Sequence, residues 1–199
     1  MKGYNGFIVQ LKNHLNDQIE YSSGVKLYKD PQWELGENAP MIGIILATPQ
    51  DNTTKAQVGD LLFFEHCVTL QNRFRSISRY CLNERDKTYF VPFDKNDNKT
   101  IAFKQNGEWH LIGKYNLLEP IKLKRQQVTK KLILPNIKKG YYGYEEGVAY
   151  ARLLTEKAKK YFNEGDKVAL SAHSEYKVEL EGKEYFAVST ENITAKLNF

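Results

Sequence analysis

Short apolar runs separated by polar turns recur along the chain and predict β-strands. Residues 7–11 (FIVQL), 41–47 (MIGIILA) and 61–64 (LLFF) have the length of ordinary strands, and Gly, Pro, Asn or Asp residues separate them. Residues 154–162 instead place apolar side chains at helical spacing, and there we expect at most a short helical turn. The pattern as a whole predicts an all-β protein.

An internal repeat suggests that the chain contains two folding units. QVGDLLFF at residues 57–64 resembles NEGDKVAL at 163–170, and EWHLIGKYNLLEPI at 108–121 resembles EYFAVSTENITAKL at 184–197. A repeat defines the unit of folding, so we expect one domain at residues 1–122 and a second at 123–199. Residues from about 74 to 103 have no evident counterpart, and we interpret them as an inserted hairpin in the first domain.

A Gly-Asp pair precedes the same buried strand in each copy. Glycine accepts backbone conformations that other residues resist, and an aspartate side chain can accept hydrogen bonds from its own turn. Gly59, Asp60, Gly165 and Asp166 are therefore expected to be structural turn residues.

Composition and charge exclude several classes of protein. The 199 residues contain two cysteines, too few for a disulfide scaffold, and no apolar run is long enough to span a membrane. A protein of a reducing cytoplasm is the simplest interpretation. The net charge of +5 is mild, and much of the excess of positive over negative residues lies in residues 122–139. Aromatic residues do not alternate with these lysines, so binding to nucleic acid is not favoured but stays an alternative.

The sequence presents no catalytic or metal-binding pattern. We find no phosphate-binding loop, nucleophile elbow or paired carboxylates, and so predict neither an enzyme nor a cofactor. Five residues could in principle meet around zinc, but their spacing fits no standard zinc pattern, and we expect no metal site. They are His66, Cys67, Cys81, His110 and His173.

The repeating unit resembles the co-chaperonin (GroES-like) family, whose small subunits cap group I chaperonins. The second half is similar to the family pattern at GDKV (165–168), EYF (184–186) and ENITA (191–195), and the first half follows it less closely. The resemblance implies two tandem small, partly open β-barrels, the first with the inserted hairpin. The turn at residues 49–57 is shorter than the roof hairpin of cellular co-chaperonins, which implies an open-topped cap as in some bacteriophages.

The resemblance also implies a binding site in the first half. Family members carry a long mobile loop between their first two strands, here residues 12–40 approximately, with a glycine and an apolar tripeptide that dock on the chaperonin. Gly24, Val25, Lys26 and Leu27 occupy that place. Lys26 departs from the family, but neighbouring residues of an extended segment face opposite ways, so Val25 and Leu27 could bind while Lys26 stays solvated. The second half is expected to lack a long loop and an equivalent tripeptide.

The resulting prediction is a non-catalytic lid for a group I chaperonin, with ATP hydrolysed by that partner. The resemblance implies a homo-oligomeric ring, a heptamer, whose loops bind together although each binds weakly. Two alternatives remain open. One is a β-barrel assembly module, of viral origin for example, without a chaperonin partner, and the other is a weak basic nucleic-acid binder.

Overall fold

The strands of this chain divide into two units, each with a main sheet of its own. The computed structural model describes residues 5–12, 18–20, 26–28, 39–70, 78–123, 126–129, 132–134 and 144–197. Within these residues the regular elements are β-strands and three single-turn 3-10 helices, which confirms the all-β prediction. The first unit spans Met1–Gly113 and the second Lys114–Phe199.

Nine described strands belong to the first unit and eight to the second. The strands of the first unit are β1 (Gly6–Gln10), β2 (Gln18–Glu20), β3 (Lys26–Tyr28), β4 (Ile42–Ala47), β5 (Leu61–Phe64), β6 (Cys81–Asn83), β7 (Thr88–Pro92), β8 (Thr100–Gln105) and β9 (Glu108–Leu111). The strands of the second unit are β10 (Tyr115–Lys122), β11 (Gln126–Thr129), β12 (Leu132–Leu134), β13 (Tyr144–Leu153), β14 (Lys167–Leu170), β15 (Tyr176–Leu180), β16 (Lys183–Ser189) and β17 (Ile193–Lys196).

The main sheets of the two units have the same topology. The first has the order β6-β7-β1-β4-β5-β8-β9, and the second has the order β15-β16-β10-β13-β14-β17. Six strands therefore correspond one to one, and β9 is an addition at one edge of the first sheet. Both sheets are antiparallel, and the described strands of neither sheet close into a ring. Hairpins β2–β3 and β11–β12 form two-stranded sheets of their own.

Two register shifts recur at corresponding places in the two main sheets. The pairing of β1 with β4 shifts register between Ile8 and Val9, and that of β10 with β13 shifts between Leu117 and Leu118. The pairings of β5 with β8 and of β14 with β17 also shift at corresponding places. A bulge interrupts the hydrogen-bond ladder at one defined position. The two recurring bulges indicate a shared backbone design, whereas the shifts between Pro120 and Lys122 and between Cys81 and Asn83 each occur in one unit only among the described residues.

The predicted domain boundary at residue 122 is wrong. The run that contains Leu117 and Leu118 is not the last strand of the first unit but lies in β10, the first strand of the second. Leu118 pairs with Ala151 on one side and with Phe186 on the other, both in the second unit. The boundary instead falls between Gly113 and Lys114. The sequence did not reveal this, because apolar alternation identifies a strand but not the strands with which it pairs.

The predicted insertion at about 74–103 is also wrong. A hairpin does form there from β6 and β7, but it matches β15 and β16, and β8 matches β17. The repeat in the structure therefore aligns TYFVPF (88–93) with YFAVST (185–190), because Phe7 pairs with Val91 and its counterpart Asn116 pairs with Val188. The sequence alone instead suggests an alignment of residues 108–121 with 184–197. The segment without a counterpart in the described residues is β9.

Each unit buries its own apolar cluster. In the first, side chains such as Phe7, Val9, Ile45 and Phe64 are fully buried. In the second, Leu154, Ala158 and Phe162 join the cluster while Tyr161 stays 69% exposed. A 3-10 turn at Ala158–Lys160 produces this arrangement, which confirms the short helical turn predicted there.

One core position changes chemistry between the units. Phe7 of β1, which contacts Phe93 edge to face, corresponds to the buried Asn116 of β10. The Asn116 amide donates to Val188 O at 3.1 Å and to Thr190 Oγ1 at 3.2 Å. Its oxygen accepts from Thr155 N at 2.8 Å and from Thr155 Oγ1 at 3.0 Å. A single side chain therefore connects β10, the β16 end and the β13–β14 connection.

We expect Asn116→Ala to destabilise the second unit by about 1–3 kcal/mol, because buried polar groups lose their partners. Both tryptophans, Trp33 and Trp109, belong to the first unit, so fluorescence follows that unit while circular dichroism follows both. For Asn116→Ala, the circular-dichroism transition should begin at a lower urea concentration than for the wild type, whereas the midpoint measured by fluorescence should not change. The exposed Asn163→Ala is the control, and an Asn116→Ala transition at the wild-type urea concentration contradicts the assignment.

Candidate functional site

The first Gly-Asp turn links β4 to β5. Gly59 has a positive φ of 95° and donates its N–H to Ile45 O at 2.9 Å. Asp60 Oδ2 accepts from Gln57 N at 2.9 Å, and Asp60 O accepts from Ile45 N. The glycine therefore supplies a conformation that an L side chain resists, and the carboxylate closes the turn.

The second turn repeats this geometry between β13 and β14. Gly165 has a φ of 88° and donates to Ala151 O at 2.8 Å. Asp166 Oδ2 accepts from Asn163 N at 2.8 Å, and Lys196 Nζ lies 2.8 Å from Asp166 Oδ1. The hydrogen bond from Asn163 N, followed by the contact with Lys196, lowers the pKa of the Asp166 carboxyl below its ordinary value. In this geometry both Gly-Asp pairs act as turn residues.

A hairpin interrupts the segment between β1 and β4. Strands β2 and β3 pair antiparallel, with Leu27 opposite Ile19 and Lys26 opposite Glu20. Because β1 and β4 are antiparallel neighbours, the segment leaves and re-enters the sheet at the same end. The hairpin is therefore attached at one end of the sheet through two adjacent strands.

The predicted docking residues lie on this segment. Lys26 and Leu27 belong to β3, whereas Gly24 and Val25 lie outside the described residues. Residues 26–28 are extended and paired within the hairpin's own sheet, separate from the seven-stranded sheet. Whether these residues bind a partner stays a prediction.

The second unit also has a long segment with a hairpin, contrary to the sequence-based expectation. Residues 123–143 connect β10 to β13, and β11 and β12 pair within them, with Gln127 opposite Ile133. Strand β13 already begins at Tyr144, so the Gly- and Tyr-rich stretch is not the loop of this unit by itself.

The sequence pattern does not reveal the second hairpin, because it does not specify the strand with which β12 pairs. Leu132, Ile133 and Leu134 are three consecutive apolar residues, a pattern that fits a buried strand equally well. Their position after β10 corresponds to that of β3 after β1. Correct alignment of the repeat would have identified them, since it makes residues 123–143 the counterpart of residues 11–41.

The candidate zinc residues do not form a site in the described part of the chain. Residues 5–12, 39–70, 78–123 and 144–197 contain no group of three or more His, Cys, Asp or Glu side chains placed to hold a metal. Cys67 Sγ donates to Glu65 Oε2 at 3.5 Å. Burial, followed by the charge of Glu65, raises the pKa of Cys67 to about 11, so this thiol stays protonated at neutral pH.

The basic stretch at residues 122–139 overlaps the second hairpin. Lys122 is exposed at the end of β10. The other cations lie outside the described residues, and they are Lys124, Arg125, Lys130, Lys131, Lys138 and Lys139.

Comparisons with known proteins add no family assignment. Neither the models of protein families nor the curated proteins contain a match to this chain. Among the described residues, no helix has the length and apolar character needed to cross a membrane.

We expect Asp166→Asn to destabilise the second unit at neutral pH and to have little effect in acid. The folded-state pKa of Asp166 is depressed, so its contribution exists above the unfolded-state pKa and is lost as pH falls through the folded-state pKa. Urea midpoints by circular dichroism at several pH values measure this. Glu164→Gln, at an exposed carboxylate of the same turn, is the control. An equal loss at every pH would rule out the ionic contribution.

Proposed function

We propose that the chain is a non-catalytic lid of the co-chaperonin type, which docks on a group I chaperonin through its hairpins. The observation that carries this proposal is the duplicated arrangement of strand, separate hairpin and antiparallel partner strand. In the sequence of each unit the hairpin lies between two neighbouring strands of the main sheet, β1 and β4 or β10 and β13. Among the described strands, the two strands of each hairpin pair only with each other. This arrangement suits an element that is presented to another molecule.

The energetics of one hairpin favour weak, reversible docking. Burial of one Val, Leu or Ile side chain contributes about 1.5–3 kcal/mol. Ordering a flexible backbone costs about 1–2 kcal/mol per residue, and the pairing of β2 with β3 already provides part of that order. A single hairpin should therefore bind weakly, which permits release.

Two hairpins per chain strengthen the proposal. Val25 and Leu27 are the proposed apolar anchors of the first hairpin. Ile133, the middle residue of β12 as Leu27 is of β3, is the proposed anchor of the second. Once one hairpin has bound, the other binds at the high effective concentration that covalent linkage gives, provided that the geometry permits both contacts. Several chains in one assembly present more hairpins together and raise the overall affinity in the same way.

The edges of the sheets favour self-assembly. In the first unit β9 pairs along the outer edge of β8, whereas no described strand pairs along the corresponding edge of β17. An edge strand carries unpaired backbone groups that can accept another strand. Head-to-tail contacts through such an edge generate a ring when the rotation closes, and a ring of seven chains is the assembly that we propose.

The connection between β4 and β5 supports an open-topped form of lid. Asn52 holds this connection compact, because its amide donates to Ala56 O at 2.9 Å and its oxygen accepts from Thr54 N at 3.0 Å. The turn therefore does not extend as a roof hairpin. In this proposal the lid works in a reducing cytoplasm, and the partner hydrolyses the ATP.

We expect the chain to slow the ATPase of a purified group I chaperonin. Leu27→Asp and Ile133→Asp should each weaken the effect, because a charge replaces an apolar anchor, and the double variant should abolish it. Leu82→Asp, at a side chain that is 56% exposed on the edge strand β6, is the control and should behave as wild type. A wild-type chain that forms no complex with chaperonin and nucleotide rejects the proposal and favours an assembly module without that partner.

We expect the free protein to be oligomeric, with a native mass that is a multiple of the 23.1 kDa chain. Light scattering after size exclusion, across a range of protein concentrations, measures this mass. A monomer at every concentration tested would exclude a preformed ring.

A further inference from the structure

The turn between β6 and β7 is bonded to the end of β1, where the chain leaves the sheet toward the first hairpin. Gln10 Nε2 donates to Asp86 O at 3.2 Å, and Leu11 N donates to Lys87 O at 3.0 Å. Lys87 Nζ donates to Lys12 O at 2.8 Å. Three consecutive residues are therefore bonded to one turn that is distant in the sequence. We call the two contacts of Lys87 with Leu11 and Lys12 the Lys87 clamp.

The turn that carries the clamp has a defined shape of its own. Asn83 Nδ2 donates to Asp86 Oδ2 at 2.7 Å, and Asp86 N donates to Asn83 Oδ1 at 3.2 Å. Lys87 has a positive φ of 52°, a conformation that L side chains resist. A residue is held in such a conformation when its surroundings constrain it, and sites of this kind often serve a function. The bonds to Leu11 and Lys12 supply such a constraint.

The second unit holds the corresponding point of its chain differently. By the register of the two sheets, Pro120 of β10 corresponds to Leu11, and a proline has no N–H to donate to a turn. Strand β10 instead continues its pairing with β13 as far as Lys122 opposite Tyr144, whereas the pairing of β1 with β4 ends at Gln10. The clamp in the first unit therefore lies where the second unit has additional strand pairing.

We propose that Lys87 is a positioning residue, which fixes where the first hairpin segment leaves the sheet. Its ammonium group holds the carbonyl of Lys12, the last described residue before β2, and its own carbonyl holds the N–H of Leu11. A segment held at its base in the docking orientation has less freedom to lose on binding, so the clamp raises the affinity of the hairpin for its partner. This last step rests on the proposed docking function, whereas the clamp itself does not.

Amide hydrogen exchange of the free full chain tests the clamp without any partner. Lys87→Asn removes the ammonium group, and asparagine accepts a positive φ better than most residues, so the turn should persist. We expect exchange in residues 11–20 to become roughly threefold faster, because an exposed hydrogen bond that limits local opening is lost. Exchange in β6 and β7 should remain that of the wild type, since the bonds between Asn83 and Asp86 are unaffected.

Two variants serve as matched controls. Lys87→Arg keeps a cationic donor at the end of a long side chain and should exchange as the wild type does. Lys55→Asn makes the same change of charge at an exposed lysine in the connection between β4 and β5, at the opposite end of the sheet from the hairpin segment. It should leave exchange in residues 11–20 unchanged.

The affinity for a group I chaperonin in the presence of ATP tests the consequence for docking. Lys87→Asn should weaken binding roughly threefold, in proportion to its effect on exchange. Lys87→Arg and Lys55→Asn should bind as the wild type does.

Two results would overturn the inference. If Lys87→Asn leaves exchange in residues 11–20 unchanged, or accelerates it equally in β6 and β7, Lys87 does not position the segment, whether or not chaperonin binds. If exchange in residues 11–20 accelerates while chaperonin binds wild type and Lys87→Asn equally well, the clamp has no role in docking. A wild-type chain that binds no chaperonin rejects the proposed lid function, and the exchange experiment then decides on the clamp by itself.

Discussion

The antiparallel pairing of the first strand of each unit with the strand after its hairpin is the constraint on which the rest of the structure depends. In the first unit Val9 lies opposite Ile45, and in the second Leu118 lies opposite Ala151. The strands are neighbours and run in opposite directions, so the intervening segment must begin and end at the same end of the sheet. This pairing attaches a hairpin to each unit without adding its strands to the main sheet.

The Gly-Asp turn lies at the opposite end of β4, and of β13, from the hairpin segment. Ile45 exchanges backbone hydrogen bonds with the turn at Gly59 and Asp60, and Ala151 does the same with Gly165 and Asp166. The turn thereby sets where β5 and β14 begin, and with them the order of the strands beyond. Two residues therefore determine where a whole strand is placed.

Local features were predictable from the sequence, whereas strand partners were not. The Gly-Asp pairs, the apolar strand at 41–47 and the helical turn near Ala158 depend on neighbouring residues, and all were identified. The role of Leu117 and Leu118 depends on residues more than thirty positions away, which no local pattern specifies. The error in the repeat alignment followed from this, and it concealed the second hairpin behind the apolar triplet 132–134.

The duplicated backbone has diverged in chemistry while keeping its geometry. Phe7 packs against an aromatic ring where Asn116 makes a buried hydrogen-bond network, yet the strands around them pair in the same order. The hairpin segments differ more strongly, because their net charges have opposite sign. Such a pattern is expected when the sheets serve as a common scaffold and the connecting segments are free to vary.

The central claim is that both hairpins are docking elements, and amide hydrogen exchange of the full chain tests it most directly. The exchange should be compared for the protein alone and with a chaperonin in the presence of ATP. The account predicts added protection in residues 18–28 and 126–134 of the complex, with little change in the main sheets. Protection confined to the sheets, or to neither hairpin in a complex that demonstrably forms, would contradict it.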